Sequence, residues 1–431
     1  MNVQAGTPIV EMRSVGKAFA KPSGEPIPVL VDINLALHEG EIVGLLGRSG
    51  SGKSTLLRIA GGLIQPTSGA VFYRGQPLTA PAAGIAIVFQ SFALFPWLTV
   101  LENVEVGLDA LGLAPAEARR RAMAAIDLIG LDGFQTAYPR ELSGGMRQRV
   151  GFARATVIEP VLLLMDEPFS ALDVLTAETL RSDFIDLWIQ RQLPTKSVLL
   201  VTHNIEEAVL MCDRIFVLST NPGRLAAEVP VLLPHPRDRG DAEFRGIVDE
   251  LYATLTSRMT EAIGAQGKIH GGLVQPLPAV SANRIAGFIE TLVARPYEGR
   301  ADLATIATAL DLDVKDLFQV AEALHIMELA ELSGGSIKLT AAGRVFAQSG
   351  TDDRKRLFGE HLLHFVPLVA HIRRVLLERE NHLAPSVRFE SELEDHLSSS
   401  DAEQTLRAVI GWGRYAELFT YDATTRAFSI P

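Results

Sequence analysis

Gly47–Thr55 reads GRSGSGKST, with the apolar run Glu41–Leu46 (EIVGLL) before it and Leu56–Ala60 (LLRIA) after it. A run of strand length, a glycine-rich turn and the start of a helix form the context in which G-x-x-x-x-G-K-[ST] acts as a phosphate cradle. Gly47, Gly50 and Gly52 permit backbone angles that a side chain would forbid, so successive N–H groups can converge on one anion. The helix that follows adds roughly half a positive charge at its N-terminus, aimed at the same spot. Lys53 supplies a full cation for β- and γ-phosphates, and the Ser54 hydroxyl can bind Mg²⁺. Ser49 and Thr55 belong to the same polar loop. The stretch implies a nucleoside triphosphate site.

The remainder of the composition bounds what such a site can serve. A chain of 431 residues, 47% hydrophobic and 21% charged, has the make-up of a globular protein with room for two or three cores. A formal charge of −11 argues against a nucleic-acid partner. No uncharged apolar run reaches the length of about 18 residues that a membrane span needs, and the start lacks the basic-then-apolar plan of a signal peptide. The single cysteine, Cys212, lies among apolar neighbours and reads as a small core residue in a reducing compartment. These features imply a soluble cytosolic protein whose membrane role, if it has one, runs through a partner.

Other motifs converge on the same sheet edge. Pro8–Val15 and Val29–Leu37 alternate as strands around a Pro/Gly loop, Lys21–Pro28. Phe19 stands just before that loop, where an aromatic can stack on a base or simply pack; spacing alone does not separate the two. The strand Ile85–Phe89 ends at Gln90, which can reach Mg²⁺ or an attacking water from the end of a parallel strand. Ser91–Val104, with Trp97, is either core or a groove for a partner helix. Arg119, Arg120 and Arg121 are a solvated face of the helix Glu117–Ile129. In ELSGGMRQRVGFARA (Glu141–Ala155), Ser143 opens a helix with a hydroxyl and free N–H groups, a second anion-binding terminus. Val161–Met165 (VLLLM) is a buried strand ending in Asp166 and Glu167. Two carboxylates there are costly unless a cation or a reaction uses them. Ser197–Val201 (SVLLV) ends in Thr202 and His203, so His203 can meet a γ-phosphate.

Together these motifs resemble the nucleotide-binding subunits of ABC transporters. Phosphate loop Gly47–Thr55, Gln90, the signature LSGGMRQ from Leu142, Asp166 and Glu167, the D-loop Ser170–Asp173 and His203 appear in that family's order, over roughly residues 8–255. The resemblance implies an α/β P-loop nucleoside triphosphatase with a RecA-like core, a helical subdomain and an antiparallel β subdomain. It implies two ATP molecules sandwiched between two such subunits, the phosphate loop of one facing Ser143 and Gly145 of the other. It also implies that Phe19 stacks on adenine, that Asp166 holds Mg²⁺, that Glu167 is the general base and that Asp173 links the sites. FPWLTVLENV (95–104), ALDVLTAETLR (171–181) and STNPGR (219–224) look like the nitrate/sulfonate/taurine importer branch. That branch implies permease subunits, a solute-binding protein outside the cell, and a cytoplasmic position on the inner membrane face.

Past Leu255 the plan changes. We expect an ATP-binding domain over 1–257, a linker over 258–282 and a C-terminal α+β domain over 283–431. Helices at 281–294, 301–310 and 314–324, strands at 327–332 and 336–339, and a helix capped by Thr340 make a winged-helix-like half. A second such half is expected from Phe389 onward. The tail resembles the AAA-associated C-terminal domain. Glu331–Gly335 again spells ELSGG, but the alternating SIKL after it predicts a hairpin turn. Between Asp311 and Glu331 six acids face one base, Lys315, so a DNA-reading role is disfavoured. His361, His364 and His371 share a helical face that permits a metal, although packing or solvent exposure explains them more simply, with a kink expected at Pro367. The competing reading is a soluble ABC ATPase acting on nucleic acid or in regulation, with the tail as its targeting module.

Overall fold

Apolar runs bounded by glycine, proline and polar residues become buried strands, and a computed structural model of the chain shows their arrangement. It describes residues 7–21, 24–47, 50–219, 222–269, 276–310, 312, 314–333, 335–395, 397 and 399–430. The chain divides into a first unit ending at Leu251 and a second beginning at Tyr252.

The first unit opens with two long antiparallel strands, β1 (Val10–Lys21) and β2 (Gly24–Leu37). Then come β3 (Ile42–Gly47), α1 (Lys53–Ala60), β4 (Ser68–Tyr73), β5 (Gln76–Pro77) and β6 (Ile85–Val88). Three helices follow: α2 (Val100–Ala110), α3 (Pro115–Leu128) and α4 (Gly144–Thr156). The chain returns through β7 (Leu162–Asp166), α5 (Val174–Ile189), β8 (Ser197–Thr202), α6 (Ile205–Met211), β9 (Arg214–Leu218), β10 (Leu225–Pro230) and α7 (Ala242–Ile269), a helix that the unit boundary at Leu251 divides.

Six strands pair in the order β10-β9-β3-β8-β7-β6, parallel throughout except for the antiparallel edge strand β10. β3, β7 and β8 are buried at every position, as strands covered on both faces must be. Leu164 and Leu199 at its centre are fully buried, and cutting either to alanine costs about 2–5 kcal/mol. A second, antiparallel sheet runs β2-β1-β4-β5. One core joins the two sheets to α1: Val10, Met12 and Ile33 from one side, Leu45, Leu164 and Leu199 from the other, Leu56 and Leu57 from the helix. Helices α2, α3 and α4 have a core of their own, including Val104, Ala122 and Val150. The α/β core, antiparallel sheet and helical subdomain are those the resemblance implied.

One correction concerns β1 and β2. They extend into the expected loop, β1 as far as Lys21 and β2 from Gly24, and Phe19 pairs with Ile27 inside the ladder, two residues before β1 ends. Pro26 and Pro28 permit this because β2 is an edge strand, where a missing N–H leaves no partner unsatisfied.

In the second unit, α8 (Ala282–Val293) is followed by β11 (Arg300–Asp302), α9 (Leu303–Ala309), α10 (Val314–Ile326), β12 (Ala330–Ser333), β13 (Ser336–Leu339) and α11 (Ala341–Gln348). Next are α12 (Thr351–Phe365), α13 (Pro367–Glu378), β14 (Leu383–Pro385), α14 (Ser386–Glu394), α15 (Ser399–Tyr415), β15 (Thr420–Asp422) and β16 (Ala427–Ser429). The two small sheets, β11-β13-β12 and β14-β16-β15, share one topology: strand, two helices, then a hairpin whose second strand pairs with the first. Strands β11 and β14 were not anticipated, being only three residues long. The repeated ELSGG lies in the β12–β13 hairpin, where Ser333 pairs with Ser336 and Gly335 has φ +81°. Gly334, Asp311 and Asp313 lie outside the described residues. Helix α7 runs through positions 258–269 of the expected linker, of which 270–275 are also outside them. Among the described residues no helix is long and apolar enough to cross a membrane.

Candidate nucleotide-binding site

Between β3 and α1 the chain must turn sharply, and Gly50 (φ +78°) and Gly52 (φ +92°) make the turn in the left-handed region. Gly52 is the N-cap of α1 and no side chain caps that helix, in contrast to α2, which Thr99 and Glu102 close with a capping box. A Cβ on Gly47 would lie 2.9 Å from both the Leu218 carbonyl and Ser51 Oγ, so the cradle has no space for one. Lys53 is only 5% exposed, and its Nζ donates to the Gly47 carbonyl at 2.7 Å. Ser51 Oγ is buried without a hydrogen-bond partner among the described residues. Ser49 lies outside them.

Ser54, on the first turn of α1, donates through Oγ to Asp166 Oδ1 at 2.9 Å. Burial pushes the Asp166 carboxyl above the ordinary carboxylate range, and neighbouring Glu167 adds to the effect. The Ser54 bond, Arg58 and Lys53 oppose it. Glu167 itself has a left-handed backbone, φ +47°, held by its N–H donating to Val201 O at 2.9 Å. That turn directs its carboxylate to a cluster. Oε2 lies 3.1 Å from His203 Nδ1 and accepts from Gln90 Nε2 at 3.4 Å. Gln90 also donates to Ser170 Oγ at 3.1 Å, and Ser170 donates to the Glu167 carbonyl at 2.9 Å. Sequence reading quoted Ser170 within a motif without giving it a part; only the fold shows it bridging Gln90 to Glu167. Nearby Glu207 is buried, its carboxyl raised by burial, and lies 3.6 Å from Arg181 Nη1.

Ser143, Gly145 and Asp173 form a second cluster. Ser143 caps α4 by accepting from Met146 N at 3.3 Å. A side chain on Gly145 would collide with Thr176, so α4 and α5 approach closely there. Asp173 caps α5, accepting from Thr176 N at 3.0 Å and Thr176 Oγ1 at 2.7 Å, bonds that lower its pKa. Beside it Val174 and Leu175 are exposed. Phe19 is 43% exposed, with Lys17 Nζ 5.2 Å from its ring centroid.

The residues present fit ATP and Mg²⁺. The orphaned Ser51 hydroxyl, the side-chain-free Gly47 and the buried ammonium suit a polyphosphate. The Ser54–Asp166 pair offers hard oxygen donors of the kind magnesium takes when phosphates complete its shell. No group of three or more His, Cys, Asp or Glu able to cage a metal occurs among the described residues. The three tail histidines weighed as a metal set, His361, His364 and His371, are engaged elsewhere or apart. His361 Nδ1 lies 2.7 Å from Met327 O, His364 packs on Phe365, and His371, on the next helix, meets Glu392 at 3.0 Å.

Two parts of the chain match known families. Residues 30–170 match the family described as ABC transporter, and residues 304–422 match the C-terminal AAA-associated domain. The nitrate import ATP-binding protein NrtD of Synechocystis sp. is 42% identical over 261 residues, 58% of this chain and 97% of that protein. The taurine import ATP-binding protein TauB of Mesorhizobium japonicum is 42% identical over 240 residues, 56% of this chain and 92% of its own. The bicarbonate transport ATP-binding protein CmpD of Synechocystis sp. is 38% identical over 239 residues, covering 55% and 83%. The chain belongs to the ABC transporter ATP-binding family. It is an ATPase of that family, with an AAA-associated domain appended at its C-terminal end.

Proposed function

We propose that this chain is the ATP-hydrolysing subunit of an import system for a small anion of the nitrate, sulfonate or taurine kind. It works as a pair, with a second copy or a homologous ATPase subunit, on the inner face of the membrane through separate permease subunits. A solute-binding protein outside the cell takes part indirectly. The observation that carries this reading is the convergence of Gln90, Glu167 and His203 beside the Ser54–Asp166 pair, at the end of the sheet that holds the phosphate loop. The names of the relatives supply the anion class.

In this reading Lys53 and the N–H groups from Gly47 to Thr55, Ser49 included, hold the triphosphate, and Phe19 stacks on adenine. Ser54, Asp166 and Gln90 would hold Mg²⁺, which when bound neutralises phosphate charge. Glu167 accepts a proton from the attacking water, and His203 fixes the Glu167 carboxylate while meeting the γ-phosphate. Ser143 and Gly145 of the partner copy close over the same triphosphate, and Asp173 joins the two sites. Catalysis is then positioning and charge stabilisation, and a placed general base contributes about 10²–10⁴ in rate. The second unit, with its two winged-helix-like halves, regulates the motor.

The test is uptake of labelled nitrate, sulfonate and taurine by cells lacking the gene. Restoration of uptake of one of these anions by the intact chain, and not by Lys53→Ala, supports the reading. Unaltered uptake of all three in the deletion strain refutes it.

A further inference from the structure

Arg154, three turns into α4, is the only described side chain bonded to the segment that follows Gln90 from the signature helix. Its Nη1 donates to the Ala93 carbonyl and its Nη2 to the Phe92 carbonyl, both at 2.7 Å. Phe92 (φ +62°) and Ala93 (φ +47°) are successive left-handed residues with side chains, a conformation that needs outside support. The same guanidinium lies 5.8 Å from the Phe95 ring centroid. Burial lowers its pKa with no carboxylate opposing the shift, so its charge is directed at the two carbonyls.

The far end of the segment is anchored independently. Asn103 is fully buried on α2, and its Nδ2 donates to the carbonyls of Phe95, Leu98 and Thr99 while its Oδ1 accepts from Phe95 N. Within this second anchor, between Phe95 and Leu98, Trp97 stands 69% exposed, its ring 5.5 Å from that of Phe95. At the near end, Gln90 bonds Glu167 and Ser170. One short segment therefore carries an amide at the hydrolytic cluster, an aromatic at the surface, and a two-pronged attachment to the helix that begins at Ser143.

We propose that Arg154 is a positioning residue that couples the Gln90–Trp97 segment to the Ser143 helix, so that a displacement of α4 on meeting nucleotide moves both the Gln90 amide and the exposed Trp97 surface. This deepens the nucleotide reading above and rests on it. A lysine at 154 keeps the charge but reaches one carbonyl at most; a methionine keeps bulk and loses both bonds.

The experiment is hydrogen exchange, read by mass spectrometry on the full chain carrying Glu167→Gln, with and without ATP and Mg²⁺. In that parent, nucleotide slows exchange at 50–60 and alters it at 90–98. With Arg154→Met added, protection at 50–60 persists, the nucleotide response at 90–98 disappears, and basal exchange there rises about a hundredfold, roughly tenfold for each of the two charge-assisted bonds lost. Arg154→Lys falls between the two and carries the test where the methionine variant does not fold. With Glu167 intact, either variant lowers kcat per nucleotide-binding chain while KM for ATP stays within about twofold, the pattern of an interaction made only in the transition state; counting the chains that bind nucleotide separates this from a loss of folded protein. A response at 90–98 that survives in both variants, or is missing from the parent while 50–60 is protected, overturns the proposal. A parent with no protection at 50–60 overturns the nucleotide reading instead.

Discussion

Glu167 Oε2 and His203 Nδ1 lie 3.1 Å apart at the ends of adjacent parallel strands, β7 and β8. Neither strand's sequence requires the contact. It arises because Asp166 pairs with Val201, which brings Glu167 out beside Thr202, one residue short of His203, and because Glu167 turns back with φ +47°.

Replacing Glu167 by Gln keeps the shape of this cluster and removes the proton acceptor. ATP hydrolysis should fall by about 10²–10⁴, while nucleotide affinity changes little. Turnover by phosphate release and affinity by a fluorescent ATP analogue check both halves.

Ser143 is exposed on the second cluster, away from the buried cores. Ser143→Arg should leave each chain folded, with about 0.5–2 kcal/mol of stability lost along with the α4 cap. In the Glu167→Gln background it should abolish the ATP-dependent shift from one copy to two in light scattering.

Gly50 and Gly52 both have positive φ, yet their surroundings differ. A Cβ at Gly50 meets nothing within 4 Å, whereas one at Gly52 lies 2.7 Å from Leu30 Cδ2. Gly50→Ala should cost about 1 kcal/mol of stability from backbone strain alone, and Gly52→Ala more than that. Chemical unfolding of the two variants, compared with the parent, measures the difference.

The raised pKa of Asp166 has a definite sign in stability. The folded chain holds that proton more tightly than the unfolded one. The contribution is therefore fully present below the unfolded carboxylate value and is lost as pH rises through the elevated folded value. Thermal unfolding without nucleotide or magnesium should show this loss over that window, and Asp166→Asn should flatten it.

In the second unit, Trp412 is wholly buried and its indole N–H donates to the Val280 carbonyl at 2.7 Å. Trp412→Phe leaves that carbonyl without its donor and a void beside it. A loss of about 1–3 kcal/mol should follow, seen as earlier unfolding in calorimetry, with ATP binding intact.

The candidate site was largely legible in the chain itself. Gly47–Thr55, Asp166, Glu167 and His203 are local patterns: a turn that only glycine can make, or a polar group ending an apolar run. The hairpin at the second ELSGG was legible for the same reason, since the alternation of Ser336–Leu339 excludes a helix there. Phe19 was misplaced because a proline-rich segment reads as a loop until one knows that β2 is an edge strand. β11 and β14 escaped notice because three residues carry no measurable period.

What the sequence determined, then, was which residues could bind a triphosphate and which runs would be buried, because backbone freedom and apolar periodicity are properties of neighbours in the chain. The tertiary structure alone decided that Ser170 bridges Gln90 to Glu167, and that Arg154 grips two carbonyls 62 and 61 positions upstream. Those contacts join segments far apart in sequence, and their geometry is set by strand register and helix packing, which no local pattern encodes.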